Sequence, residues 1–207
     1  MADLSTLLAR PDPVGIAPQL IGAELISTLG GTETSVFLTE VEAYFAPADQ
    51  ASHARNGTRT ARTEVFYGPP GHCYLYTIHT HVLINVVTGP VGTPHAILFR
   101  AGAPGRGLAT IQARRGMDHV RRNLTTGPGV LAKALGLTDL SLYGSDLADP
   151  AAPLRLAWDG PLPPEEIVAS PRIGLGVLAG EWATRPWRFT RRGSPYVTPA
   201  RRGGNAK

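Results

Sequence analysis

Cysteine is almost missing from this chain of 207 residues: Cys73 stands alone, which excludes an internal disulfide framework and a zinc cluster built on paired cysteines, and suits a reducing compartment. Lysine is nearly as scarce. Lys133 and Lys207 are the only two, and neither a helical position nor the terminus suits an amine that must form a Schiff base. Any hydrolysis is therefore expected to use water as the nucleophile. No run approaches the ~18 consecutive apolar residues of a membrane span, and Met1-Ala2-Asp3-Leu4 lacks the basic and apolar regions of a secretion signal. The expectation is a cytoplasmic protein without membrane contact. A nucleophile elbow is missing too: Gly193-Ser194-Pro195 does not match one, and Cys73 lies in an apolar run where a thiol is inert.

What is present suffices for one domain spanning 1–207, since 43% of the residues are apolar; the tail 200–207, rich in Arg and Gly, is expected to be disordered. The net charge of +4 is unevenly spread. Arg100 to Arg122 carries six arginines against Asp118 alone, and the segment from Arg191 onward is basic throughout, whereas Asp139 to Glu166 is acidic. Such arginine-rich stretches are either solvated surface or a footprint for a polyanion.

Spacing along the chain predicts an α+β order, with strands preceding helices. Leu20, Ile21, Glu24 and Leu25 predict a short helix over Gln19–Ser27. Ser35–Phe45 alternates as a strand, with Leu38, Glu40, Glu42 and Tyr44 on one face. Ala46–Gly71 is a loop of unusual composition. His72–Ile78 and Val82–Thr88 pair as a hairpin around His79-Thr80-His81, and another strand covers Ala96–Ala101. Helices are expected at Leu108–Arg115 and at Pro128–Leu135, the latter opened by Gly-Pro and closed by Gly136.

Glu40 and Glu42, two residues apart on one strand face, are separated by about 6.6 Å. That is too far for a retaining glycosidase pair and at the lower limit for an inverting one, so no two-carboxylate mechanism is assigned. An edge strand with solvent-facing acids would present the same pattern. Tyr44, Tyr74, Tyr76 and His53 add planes on which a flat ligand could stack. His79 and His81 invite a metal, but a zinc site needs three or four ligands and no His-Glu-x-x-His motif supplies them; neither metal nor cofactor is expected. Gly127 and Gly129 bracket a helix start whose backbone N–H groups suit a phosphate.

These residues together resemble the alkyladenine (3-methyladenine) DNA glycosylase family. The likeness is carried in order by Glu40-Val41-Glu42-Ala43-Tyr44, Asp49-Gln50-Ala51-Ser52-His53, Arg59-Thr60-Ala61-Arg62-Thr63 and Pro70-Gly71-His72-Cys73-Tyr74-Leu75-Tyr76. It continues through Asn85-Val86-Val87, Ala96 to Ala101, Gly127-Pro128-Gly129, Arg172-Ile173-Gly174 and Pro186-Trp187-Arg188-Phe189. The resemblance implies a curved, mostly antiparallel sheet, open-barrel-like and flanked by helices, with a hairpin that enters DNA. It further implies a monofunctional enzyme that acts as a monomer on double-stranded DNA, flipping out and hydrolytically excising alkylated or deaminated purines.

By the same resemblance Glu42 is the base that activates water and Arg100 helps hold that water. Tyr44, His53 and Tyr76 sandwich the base, Asn85 crowds the amine of normal guanine, and Leu98 walls the pocket. Thr60, Arg62, His79, Thr80, His81, Gly127 and Gly129 are implied to meet DNA. Many members carry Tyr-Gly-Met at the hairpin tip, where this chain has the shorter His79-Thr80-His81, an imidazole wedge of smaller aromatic area. A non-catalytic nucleic-acid-binding module and a metal-dependent hydrolase built on the histidines are the competing readings.

Overall fold

The computed structural model describes residues 3–199; the tail 200–207 lies outside the described residues. The proline-punctuated opening holds two short helices, α1 (Leu4–Leu8) and α2 (Pro13–Ile16), each started by an aspartate whose carboxylate accepts backbone N–H bonds: Asp3 from Ser5 and Thr6, Asp12 from Val14. The helix expected over Gln19–Ser27 does not form. A 3-10 turn ends at Leu20, Gly22 takes φ +90° against the Leu162 side chain, and β1 (Glu24–Ser27) follows as a strand. Leu20, Ile21 and Leu25 are all buried, so the apolar positions are right but their spacing fits either geometry; the glycine decides.

Next come β2 (Thr34–Phe45), β3 (Cys73–Ile78), β4 (His81–Thr88) and β5 (His95–Pro104), followed by α3 (Leu108–Arg115) and α4 (Pro128–Ala134). β6 (Leu154–Ala157), β7 (Ile167–Ser170) and β8 (Arg188–Arg191) complete an unclosed antiparallel sheet of eight strands among the described residues. Its order is β3-β4-β5-β2-β1-β6, with β8 bridging β2 and β7. The α+β class is therefore as expected. No helix among them is long and apolar enough to cross a membrane.

β2 is central rather than an edge, which overturns the solvent-facing reading of its acids. β5 pairs along one side; on the other, β1 pairs with Thr34, Ser35, Val36 and Phe37 at its start and β8 with Glu40, Val41 and Glu42 further on. Where the partner changes, the register slips between Leu38 and Val41. This bulge corrects the face assignment: Val36 and Leu38 before it, and Val41 and Ala43 after it, all enter the main core, while Glu40 and Glu42 take the opposite side. Cys73, Leu75, Ile84, Val86, Ile97 and Phe99 of the neighbouring strands fill that same core. One sheet face is thus committed to apolar packing, and the period of two leaves the other face for different work.

Candidate active site

That other face carries a cross-strand row. Glu42 on β2 sits opposite Leu98 on β5, Leu98 opposite Asn85 on β4, and Asn85 opposite Tyr74 on β3. One pleat away along these strands come Tyr44, Arg100 and Tyr76, on the same face by alternation. The sheet therefore gathers every catalytic and base-contacting residue expected from sequence except His53, and the loop after β2 brings His53 back over the row. Tyr44, His53, Tyr76, Asn85, Leu98 and Arg100 line a cavity of about 820 Å³.

Glu42 lies immediately behind that lining and is fully buried. Three lining residues hold its carboxylate: the Ile173 N–H donates to Oε1 at 2.8 Å, the Tyr44 hydroxyl to Oε2 at 2.9 Å, and Arg100 Nη1 to Oε2 at 3.3 Å. Arg100 reaches Glu40 as well, through Nε at 2.8 Å, and Arg188 Nε donates to the same Glu40 oxygen at 2.8 Å. Two carboxylates and two guanidiniums thus form a buried cluster of zero net charge, the condition under which buried ions persist. Burial alone would raise the Glu40 pKa, but Arg100, the Thr198 N–H and Arg188 hold it below the usual carboxylate range. Burial, and then the Glu42 charge, push the Tyr44 phenol well above its ordinary value, so this hydroxyl stays a proton donor to Glu42.

Tyr74 and Tyr76 stack with ring centroids 5.5 Å apart, and the His53 ring stands edge-on to Tyr76 at 4.6 Å. Tyr74 is buried, reaches the cavity lining and supports both neighbouring rings. Its hydroxyl lies 2.8 Å from His53 Nδ1 and accepts from Arg62 Nε at 3.2 Å. The Arg62 guanidinium is also within 3.1 Å of both His53 ring nitrogens. Burial first, then the charges of Arg62 and Arg55, lower the His53 pKa to about 4, so the imidazole is neutral near pH 7. Asn85 is fixed by donating Nδ2 to the Tyr74 carbonyl at 3.1 Å.

The rim is built from three pieces. The hairpin tip is a two-residue turn, with His79 and Thr80 at φ +46° and +70° and His81 already paired with Ile78, so the turn is one residue tighter than expected. Gly127 and Gly129 at the start of α4 face it so closely that a Cβ at Gly129 would lie 2.5 Å from that of His81. The third piece, Ile173 to Ala179, closes the mouth. Of the expected DNA-contacting residues, His79, His81, Gly127 and Gly129 line the cavity. Thr60, Arg62 and Thr80 do not; Thr60 is exposed in a turn closed by Thr63. Among the described residues no three His, Cys, Asp or Glu side chains gather as metal ligands would.

Sequence reading missed the Arg172 clamp. Arg172 donates to both oxygens of buried Asp49, at 2.5 and 2.9 Å, and to the carbonyls of Ala43 and Trp182, while its charge lies 4.6 Å from the Tyr44 ring centroid. The clamp ties the loop after β2, the Ile173 segment and the strand carrying Glu42 into one unit. The only advance signals were Asp49 and Arg172, two oppositely charged residues each standing in a motif that carries the family resemblance. The arginine-rich stretch also changes meaning. Arg100 is buried, Arg106 pairs with Glu24 and Glu33, and Arg114 donates to the carbonyls of Leu29 and Ala134. Arg115 donates to the Leu124 carbonyl and Arg121 to His119, so five of the six arginines are engaged within the protein.

Comparison with known proteins covers nearly the whole chain. The family model for methylpurine-DNA glycosylase matches residues 7–195. A relative from Nocardia farcinica, named as a 3-methyladenine DNA glycosylase, is 42% identical over 201 residues, spanning 94% of this chain and 90% of its own. One of the same name from Bacillus licheniformis is 39% identical over 185 residues, covering 89% and 91% respectively. Another from Anaeromyxobacter dehalogenans is 41% identical over 184 residues, covering 88% and 79%.

Proposed function

Since this chain belongs to the methylpurine-DNA glycosylase family, whose members are hydrolases of N-glycosidic bonds, we propose that Glu42 activates the water that releases a damaged purine flipped from duplex DNA. The observation that carries this reading is the convergence of a buried, triply hydrogen-bonded carboxylate and the Arg100 guanidinium behind a cavity walled by Tyr44, Tyr76 and His53. A carboxylate has about four acceptor directions. Three are taken, which leaves one on Oε1 for the attacking water, oriented alongside Arg100.

The step balances without a cofactor. Water oxygen bonds to C1′ as the C1′–N bond breaks, the bonding pair leaves with the purine, and the water proton passes to Glu42. The carboxylate also opposes the positive charge that develops on the sugar. Purines alkylated at N3 or N7 are cationic, leave as neutral bases and are attracted to the tyrosine faces. Neutral His53 adds a stacking plane without repelling them. Asn85, pinned to the Tyr74 carbonyl, crowds the exocyclic amine of guanine, and Leu98 walls the base.

The substrate range is 3-methyladenine, 7-methylguanine, hypoxanthine and ethenoadenine, excised by a monomer from duplex DNA; the last two, neutral in the duplex, take a proton from solvent as they leave. Flipping costs a few kcal/mol, least for damaged or mispaired bases, and so adds selectivity before chemistry. Glu42→Gln is expected to abolish abasic-site formation, by 10²-fold or more on the general-base scale, while retaining lesion binding. Oligonucleotides bearing one lesion each, assayed for alkali-labile sites with and without EDTA, read both range and metal independence. Full activity of Glu42→Gln would remove the base; loss in EDTA would favour metal chemistry at the histidines.

A further inference from the structure

Val177 and Leu178 form the most exposed apolar pair described, 96% and 78% accessible, and they stand at the mouth of the cavity. Two adjacent aliphatic side chains held almost wholly in water are costly unless a partner covers them. The segment bearing them is not a loose strand end. Its base is fastened at Ile173, whose N–H bonds Glu42, and at Arg172, clamped on Asp49; beyond the tip Ala179 is buried and Trp182 packs on Trp187 at 5.6 Å. A fixed root with an apolar tip is a presented surface. Across the mouth, the hairpin tip offers polar His79 and Thr80, with Ile78 at 44% exposure beside them.

We infer that the Val177–Leu178 tip is a second DNA-inserting element, entering the base stack next to the extruded nucleotide from the side of the cavity opposite the hairpin. The inference rests on the glycosylase reading. The chemistry selects the partner: the two side chains offer no charge or hydrogen bond to a phosphate, whereas aliphatic side chains do wedge between stacked bases and hold a kinked step open. The tip is continuous with the cavity that receives the base, so the gap left in the duplex lies within its reach. A hairpin with only an imidazole at its turn would leave part of that gap unfilled, and two aliphatic residues on the rim of the same cavity fill it.

The test is the double variant Val177→Ser/Leu178→Ser, compared with wild type on a duplex bearing hypoxanthine opposite thymine and 2-aminopurine beside the lesion. Both side chains are exposed, so unfolding temperature should match wild type. The variant is expected to slow the 2-aminopurine unstacking signal and single-turnover excision by about tenfold. Placing the same lesion in a one-nucleotide bulge, where the base is already unstacked, should bring it within about twofold of wild type. Unchanged rates on the paired duplex, or an equal loss on the bulge, would overturn the wedge. So would self-association of wild type that the variant abolishes, which would make the tip a contact between copies. The fluorescence signal needs no bond cleavage and tests the wedge even if wild type excises nothing, a result that counts against the activity alone.

Discussion

His53 shows how one side chain can report on the site without reacting. Its folded-state pKa of about 4 lies below the ordinary 6.5, so as pH falls the unfolded chain takes the proton first. Its contribution to stability is fully present above about pH 6.5 and is lost between about 6.5 and 4. Denaturant midpoints measured through that window should decline more steeply in wild type than in His53→Gln; parallel curves would show that the imidazole is not held neutral by Arg62 and burial. Glu40 behaves in the same direction but lower, because its depressed pKa releases stability only below the ordinary carboxylate range. Removing one partner of such a buried cluster typically costs about 3–5 kcal/mol. Glu40 is on this account a structural acid beside the proposed base Glu42, two residues apart and sharing Arg100.

At the scale of elements, the contact between α4 and the hairpin is the most exacting. A methyl group at Gly129 would meet the His81 Cβ, an atom that no rotamer can move, so Gly129→Ala should push the helix off the hairpin. The expected cost is about 1–3 kcal/mol in unfolding free energy, with weaker duplex binding at unchanged chemistry once bound; a neutral substitution would mean that the two elements do not support one another. The hairpin, β5 and both longer helices were legible in sequence because each has a full-length pattern and clear punctuation. β6, β7 and β8 were not, since four residues hold too little alternation to stand out and depend on partners already folded. The bulge in β2 escaped for a related reason: it arises where β1 gives way to β8, a tertiary event. Glu42, Arg100, Tyr44 and the other residues gathered at the cavity could be named from the family resemblance. Arg172 could not, because its function is to join segments distant in sequence.

For the whole molecule, the count of 20 lysines and arginines overstates the cations a polyanion can meet, because arginines such as Arg106 and Arg114 are bound to carboxylates or carbonyls. Arg55 is exposed at the cavity. Plots of log affinity against log salt for duplex DNA should therefore lose about one unit of slope in Arg55→Gln and none in Arg106→Gln. Equal loss in both would restore the basic stretch as the footprint.

The Glu42–Leu98–Asn85–Tyr74 row has a consequence for quality control during folding. A shift of one position in any of the four strands exchanges a pocket side chain for a core one, so a misaligned molecule is damaged in its interior and its chemistry at the same moment. Excision activity per molecule then serves as a gauge of correct alignment, and partially active, misthreaded forms have no place to accumulate.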